Sequence, residues 1–305
     1  MDLYKLNQSR LEEVKNVPFK LEKDIQDLIE ANLQTLFDLE MVRSEFPLNN
    51  LRIDTLAYDQ QRNAFVIIEY KKTKNFSVID QGYSYLSLML NNKADFILEY
   101  QEQTANSMKR DEVDWSQSRV LFISPQFTPY QKQSIEFKDL PFELWEIKKY
   151  SNDTLILNQH KSSSNESIKT IENKDVRAEQ VDKEVVVYTE EELVSRGGDD
   201  IRELYSDLKE RLLESGEYEI KPLKYWINFK NGKKIIGSIE LQRRKLKVWV
   251  NLKAGNLDDP KKMFEDVSSK GHWGIGDYEA VLNPQSDLDY LMSCIKQSYN
   301  YHYNA

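Results

Sequence analysis

Asp54, Glu69 and Lys71 are the residues whose types and spacing could do chemistry. Neighbouring carboxylates can hold a hard divalent cation, and a lysine beside them can position or deprotonate a water. Glu69 and Lys71 end the run Ala64-Phe65-Val66-Ile67-Ile68-Glu69-Tyr70-Lys71. Side chains alternate along a strand, so both point to the face that also carries Phe65 and Ile67. The run is apolar on both faces up to Glu69, which predicts a strand inside a sheet with covered sides. Two opposite charges at the end of such a strand are costly unless something there uses them. A Glu-x-Lys triplet also arises by chance and pairs on solvated sheet edges, so its surroundings must decide.

Those surroundings supply a consistent set of positioning elements. Phe19–Ile29 is predicted helical, with Leu21, Ile25, Leu28 and Ile29 as its apolar stripe. Met41–Pro47, Arg52–Tyr58 and Ala64–Lys72 are predicted as strands, the last two joined by a turn at Gln60–Asn63. A helix follows over Val78–Asn91 on the stripe Ile79, Tyr83, Leu86 and Leu90, then a second over Ala94–Glu102. Arg119–Ser124 is a further buried strand, giving the order α-β-β-β-α-β. Gln81 and Tyr85 stand four apart on one face of the Val78–Asn91 helix, turned away from its apolar stripe.

Asp54, the Glu69-x-Lys71 triplet and the element order together resemble the PD-(D/E)XK nuclease superfamily. Gln81 and Tyr85 resemble the Gln-x-x-x-Tyr element of its RecB-type members, and Glu22 its first-helix glutamate. Glu22, Gln26 and Glu30 also fit an ordinary solvated helix face. The residue before Asp54 is Ile53, where the superfamily's name carries proline. The resemblance implies a restriction-endonuclease-like α/β core, with a mixed sheet flanked by helices. It implies that Asp54, Glu69 and the Tyr70 backbone carbonyl hold Mg²⁺ or Mn²⁺, with Glu22 binding a second ion or a metal-bound water. Lys71 would position or deprotonate the attacking water, its pKa lowered by the cation. Gln81 and Tyr85 would hydrogen-bond the lysine or a phosphate oxygen. The implied activity is DNA phosphodiester hydrolysis, in a defence, repair or mobile-element setting. The alternative is a non-catalytic nucleic-acid-binding or protein-interaction adaptor that keeps the fold.

Composition bounds these readings. The chain has 305 residues, enough for two domains, and a formal net charge of −9. No apolar run approaches the ~20 residues of a transmembrane helix, which disfavours a membrane role. The polar start at Met1–Gln8 shows no signal peptide, and Cys294 alone precludes an internal disulfide, so a cytoplasmic location is expected. Cys294 lies on an apolar helical pattern and reads as packing.

The expected layout is a nuclease-like domain at 1–157, a flexible polar linker at 158–185 and an α+β accessory domain at 186–305. A strand pair within Pro141–Gln159 closes the first, and His160 beside it carries no expected role. Thr189 and the glutamates after it resemble a helix capping box, and Asp199-Asp200 opens a longer helix. Two or three strands are predicted within Ile220–Leu252, with a turn at Asn231-Gly232, and a last helix over Asp287–Tyr299. Lys224, Lys233, Lys234, Arg243, Arg244 and Lys245 fall where Glu240 is the lone acid, interleaved with Tyr225, Trp226, Phe229 and Trp249. Such a segment suits phosphate contact with stacking aromatics, or equally a sheet with one solvated face. The loop Ser269–Tyr278 holds three glycines around His272 and Trp273 and suits a ligand-cradling loop or an ordinary tight turn, its spacing matching neither the Walker nor the dinucleotide fingerprint. A homodimer or a protein partner stays open.

Overall fold

In the computed structural model the described residues are 2–49, 51–72, 77–162, 164, 166–168, 176–216, 218–232, 234–270 and 274–303. They form two compact units, Met1–Val187 and Tyr188–Ala305.

The first unit opens with a hairpin, β1 (Leu3–Asn7) and β2 (Arg10–Val14), and a short β3 (Asn16–Val17). Helices α1 (Glu22–Glu30) and α2 (Leu33–Phe37) lead into β4 (Glu40–Leu48), β5 (Leu51–Asp59) and β6 (Ala64–Tyr70). Then come α3 (Val78–Asn91), α4 (Lys93–Thr104), β7 (Arg119–Ser124), α5 (Pro129–Ser134), β8 (Phe142–Tyr150), β9 (Leu155–His160) and α6 (Val176–Glu184). The expected α-β-β-β-α-β succession is present, with α2 inserted after the first helix and α4 after α3. The sheet is mixed, in the order β3-β8-β7-β6-β5-β4, with β9 on β8. β4, β5 and β6 run antiparallel, and β6, β7 and β8 run parallel.

β6 sits mid-sheet because its sequence can be covered on both faces, and all seven of its residues are buried. Phe65 and Ile67 pack into one core with Leu86 and Met89 of α3 and Phe96 of α4. Val66, Ile68 and Tyr70 pack into a second core with Ile25 and Ile29 of α1. Each such side chain contributes about 1.5–3 kcal/mol on burial. The helix α3 lies close to the sheet at Gly82, where a Cβ would stand 2.6 Å from the Phe142 ring. Ser77 caps its start by accepting the Asp80 N–H at 3.2 Å.

The stretch expected as a flexible linker is different. α6 lies within it, and Ala178, Val181 and Val185 join the core that includes Tyr83. The Tyr83 hydroxyl donates to Asp182 at 3.0 Å. Ala178, Val181 and Val185, at helical spacing, dock a helix whose other residues are mostly charged, and Ile168 joins the same core.

The second unit holds α7 (Glu190–Val194), α8 (Asp199–Ser215), β10 (Glu219–Pro222), β11 (Ile227–Asn231), β12 (Lys234–Gln242), β13 (Lys245–Val250), β14 (Phe264–Asp266), β15 (Tyr278–Leu282) and α9 (Leu288–Tyr303). Its antiparallel sheet has the order β10-β11-β12-β13-β15-β14. Thr189 caps α7 in the expected box: its hydroxyl accepts the Glu192 N–H, and Glu192 accepts the Thr189 N–H. Four strands rather than two or three occupy 219–250, because the short Glu219–Pro222 also pairs with β11. Leu204 and Leu208 of α8 and Leu291, Cys294 and Ile295 of α9 pack with Ile239 and Val248 of the sheet. Among the described residues no helix is long and apolar enough to cross a membrane.

Candidate active site

The carboxyl end of β6 brings Asp54, Glu69, Lys71 and Tyr85 together. β5 and β6 pair from Asp59↔Ala64 to Thr55↔Ile68. Beyond that pair the Asp54 side chain takes over: its Oδ2 accepts the Tyr70 N–H at 3.1 Å. On the other side, the Lys71 N–H donates to the Ile123 carbonyl of β7 at 2.9 Å. In a strand, a residue's N–H and C=O face the same neighbour, so the Tyr70 carbonyl is directed to the Asp54 side.

Lys71 Nζ lies 2.6 Å from Glu69 Oε1, whereas Glu69 Oε2 is buried with no hydrogen-bond partner. Burial raises the Glu69 pKa, Asp54's charge raises it further, and Lys71 and Tyr85 only partly oppose this. Asp54 is also raised, by burial and by the charges of Glu45 and Glu22, against the Tyr70 N–H and Lys71. Burial alone would lower the Lys71 pKa. The hydrogen bond and charge of Glu69, with Asp54 and Glu22, outweigh it and raise the pKa. Without a cation, then, Lys71 is held protonated rather than poised as a base. Burial and the Glu69 carboxylate push the Tyr85 phenol well above its ordinary range, so the hydroxyl is neutral.

Glu22 reaches the same strand end, where its Oε2 accepts the Lys72 N–H at 2.5 Å. It contributes charge there but does not complete a metal cage. Among the described residues, no group of three or more His, Cys, Asp or Glu side chains is arranged to hold a metal ion. Gln81 stands one turn before Tyr85 on α3, with its Oε1 buried and unpartnered. A small hard cation that keeps most of its waters needs only one or two carboxylates. The Asp54–Glu69 pair fits that requirement, since the orphaned Glu69 Oε2 lacks the positive partner such an ion would provide.

Support for Asp54 comes from residues that read in the sequence as solvated. Gln26 is 4% exposed, and the two N–H groups of its Nε2 are shared among the Asp54 carbonyl (3.0 Å), Glu30 Oε1 (2.9 Å) and Ser44 Oγ (3.1 Å). Thr55 Oγ1 donates to Glu30 at 2.6 Å and lies 3.0 Å from the Tyr70 hydroxyl. The polar face of α1 thus turns inward under β5. The four-residue spacing of Glu22, Gln26 and Glu30 was the available signal, but it is shared with any exposed face.

The basic segment of the second unit does not form one surface. Lys234 begins β12, whereas Arg243 and Arg244 form the turn after its end and Lys245 opens β13, roughly 27 Å away along a nine-residue strand. Lys224 lies before β11, at the Arg243 end, with its Nζ 5.4 Å from the Tyr225 ring centroid. Lys233 is outside the described residues. Phe229 and Trp249 are fully buried, so neither can stack on a base. The glycine loop is explained in part by packing. A Cβ at Gly274 would meet the Trp249 ring at 2.0 Å, and Gly276 (φ +76°) lies against the Val250 carbonyl. Gly271, His272 and Trp273 are outside the described residues. His160 Nε2 lies 3.0 Å from Glu136.

Comparison with known proteins adds the following. Residues 190–302 match the model of a domain of unknown function, DUF5655. An uncharacterized protein of Haemophilus influenzae is 47% identical over 300 residues, covering 98% of this chain and 99% of that protein. Two solved structures are similar at 16% identity. A repair endonuclease from Pyrococcus abyssi matches over 40% of this chain and 45% of its own, with a TM-score of 0.24. An EndoMS–dsDNA complex matches over 48% and 64%, with a TM-score of 0.29. Matches of that size fix neither fold nor activity. The full-length match does fix kinship: the chain belongs to one family with the Haemophilus influenzae protein.

Proposed function

We propose that the first unit is a metal-dependent nuclease with a restriction-endonuclease-like core, and that DNA is its substrate. The observation that carries this reading is the pair of raised carboxyls, Asp54 and Glu69, beside Lys71 at the end of a buried strand. Such an uncompensated group is expensive in a folded core, and persists where a ligand or a reaction uses it.

Bound Mg²⁺ or Mn²⁺ would neutralise phosphate charge and make a water more acidic. Asp54 and Glu69 would hold it, with the Tyr70 carbonyl as a further oxygen. Lys71, protonated while Glu69 is ionised, offers a donor and a positive charge to a phosphate oxygen. With Glu69 engaged as a metal ligand, Lys71 would lose its partner and its pKa would fall, and it could then orient or deprotonate the water. Tyr85, kept neutral, donates a hydrogen bond at the same face. Gln81 adds an amide one turn away.

The test is incubation of the full chain with circular and linear DNA, single- and double-stranded, in Mg²⁺ or Mn²⁺. Wild type is expected to cleave, and Lys71→Ala and Glu69→Ala to be at least ~100-fold slower while each still unfolds in one cooperative transition. Equal rates in the variants overturn the site. No cleavage by wild type with either metal overturns the enzyme and leaves the binding adaptor.

A further inference from the structure

Beside the candidate site, the first unit contains a cavity of about 540 Å³ that the chemistry above does not use. Sheet topology explains it. Lys149 of β8 pairs with Leu155 of β9 on one side and with Val17 of β3 on the other. β3 therefore lies on the side of β8 that β7 occupies farther back. The last β7 pair is Ser124↔Glu146 and the first β3 pair is Val17↔Lys149. Between them, the edge of β8 at Ile147 and Lys148 has no strand opposite it, and the cavity opens there.

The location matters because it continues from the candidate site. β6, β7 and β8 are parallel, and ligands of such sheets bind beyond the carboxyl ends of the strands. Lys72, directly after Lys71, lines the cavity. So do Lys132, Lys148 and Lys149, with Glu146 as the acidic residue among them. Glu146 is already engaged: its Oε1 lies 2.8 Å from Lys132 Nζ and accepts the Phe127 N–H at 3.2 Å. Among the described residues Lys72, Lys148 and Lys149 make no ion pair, and Lys72 Nζ donates only to the Lys20 carbonyl. Lys148 and Lys149 are successive on β8 and so point to opposite faces; with Lys72 they border the opening from both sides of that edge, on a chain of net charge −9. Phe19 adds an apolar wall.

We propose that this cavity binds the phosphate backbone of an unpaired nucleic-acid strand running on from the scissile phosphate, with a base against Phe19. A hollow of this size matches a small ligand such as one nucleotide rather than a duplex. Lysines that track a backbone beside an aromatic face are the usual means of holding single strands. The proposal rests on the nuclease reading for its substrate class, and assigns to the enzyme a preference for single strands or overhangs.

The test is fluorescence anisotropy of the full chain with a labelled 20-nucleotide single strand and the matching duplex, in EDTA, across a salt series. Wild type is expected to bind the single strand more tightly. Lys148→Glu/Lys149→Glu is expected to weaken that binding at least tenfold and to remove the preference. The salt dependence should fall by about 0.7 per lost phosphate contact. Lys148→Gln/Lys149→Gln, which keeps the side-chain bulk, should show a smaller change of the same sign, with melting unchanged in both variants. No binding by wild type, or equal affinity and salt slope in the charge-reversed variant, overturns the proposal. Cleavage by wild type with such an indifferent variant would leave the nuclease standing and the cavity rejected. Loss of single-strand binding without wild-type cleavage would do the reverse.

Discussion

Two charged clusters lie at opposite ends of the same sheet, and they are built on different electrostatic principles. At one end, Asp59 and Glu143 meet Arg62 and Arg119. Asp59 Oδ2 is 2.9 Å from Arg119 Nη1 and 3.9 Å from Arg62 Nε, and Glu143 Oε1 is 2.9 Å from Arg119 Nε. The remaining oxygens are taken as well. Asp59 Oδ1 accepts the N–H groups of Gln61 and Arg62, and Glu143 Oε2 accepts from Trp145 and Gln159. Two acids balance two bases, and although burial opposes it, the acids keep Arg119 charged. Arg62, buried and repelled by Arg119, is lowered to about 10. At the other end, about 17 Å along β5 from Asp59 to Asp54, acids outnumber bases and one buried carboxylate oxygen is orphaned. Burial is shared by the two clusters, so burial does not mark function. Hydrogen bonding does not separate them either, since Arg62 Nε, Arg119 Nε and Arg119 Nη1 are buried without aligned partners just as Glu69 Oε2 is. Charge balance does: the acids of the first cluster face arginines, whereas Asp54 and Glu69 share one lysine.

Substitutions at the two ends should therefore fail in different ways. The largest expected effect is chemical: Glu69→Gln should slow cleavage by about 10²–10³-fold or more while the chain stays folded. Its counterpart at the balanced end is Arg119→Met, which strands Asp59 and Glu143. Breaking a buried pair in this way costs about 3–5 kcal/mol. Urea unfolding should show that loss, with cleavage per folded molecule retained. If Arg119→Met abolished cleavage without loss of stability, the division between the clusters would break.

A smaller effect is expected at Gln26, which is buried and hydrogen-bonds the Asp54 carbonyl rather than its carboxylate. Gln26→Ala leaves buried acceptors unsatisfied, at about 1–3 kcal/mol. If it positions Asp54, kcat should fall several-fold with KM unchanged, and Gln26→Asn should recover little because it is shorter. A fall in stability alone would assign it to the fold.

Smallest is the pH dependence of stability in chelator. Asp54 and Glu69 have folded pKa values above their ordinary ones. Their contribution to stability is full below about pH 4 and is lost as pH rises through the raised folded values. Glu69→Gln should flatten that decline in thermal unfolding across the acidic range. A decline of the same slope in wild type and variant would contradict the assigned shift.

Much of the fold was legible in sequence because both strand and helix periodicities are strong where burial is complete. β6 and β7 are apolar throughout, and α3 carries a clean stripe from Ile79 to Leu90. That Asp54, Glu69 and Lys71 would come together was legible because neighbouring strands carry them and charge interrupts the buried run of β6. Gln26 was not, since a polar side chain reads as solvated until the fold places Asp54's carbonyl against it. The Asp59–Arg119–Glu143 network joins residues far apart in the chain, which no local pattern reports. α6 was hidden because three small contacts, Ala178, Val181 and Val185, carry its docking amid charged residues. The basic stretch of the second unit misled in the opposite sense. Its cations are close in sequence, but a hairpin sends them to both ends of β12.

The most direct measurement is Mn²⁺ binding to the full chain by isothermal titration calorimetry, in wild type and Asp54→Asn. Wild type is expected to bind the ion and to gain roughly 1.4 kcal/mol of stability at a tenfold excess over its Kd. Asp54→Asn is expected to lose both the heat and the stabilisation while keeping its fold. Identical isotherms for the two proteins would contradict a metal centre at the end of β6.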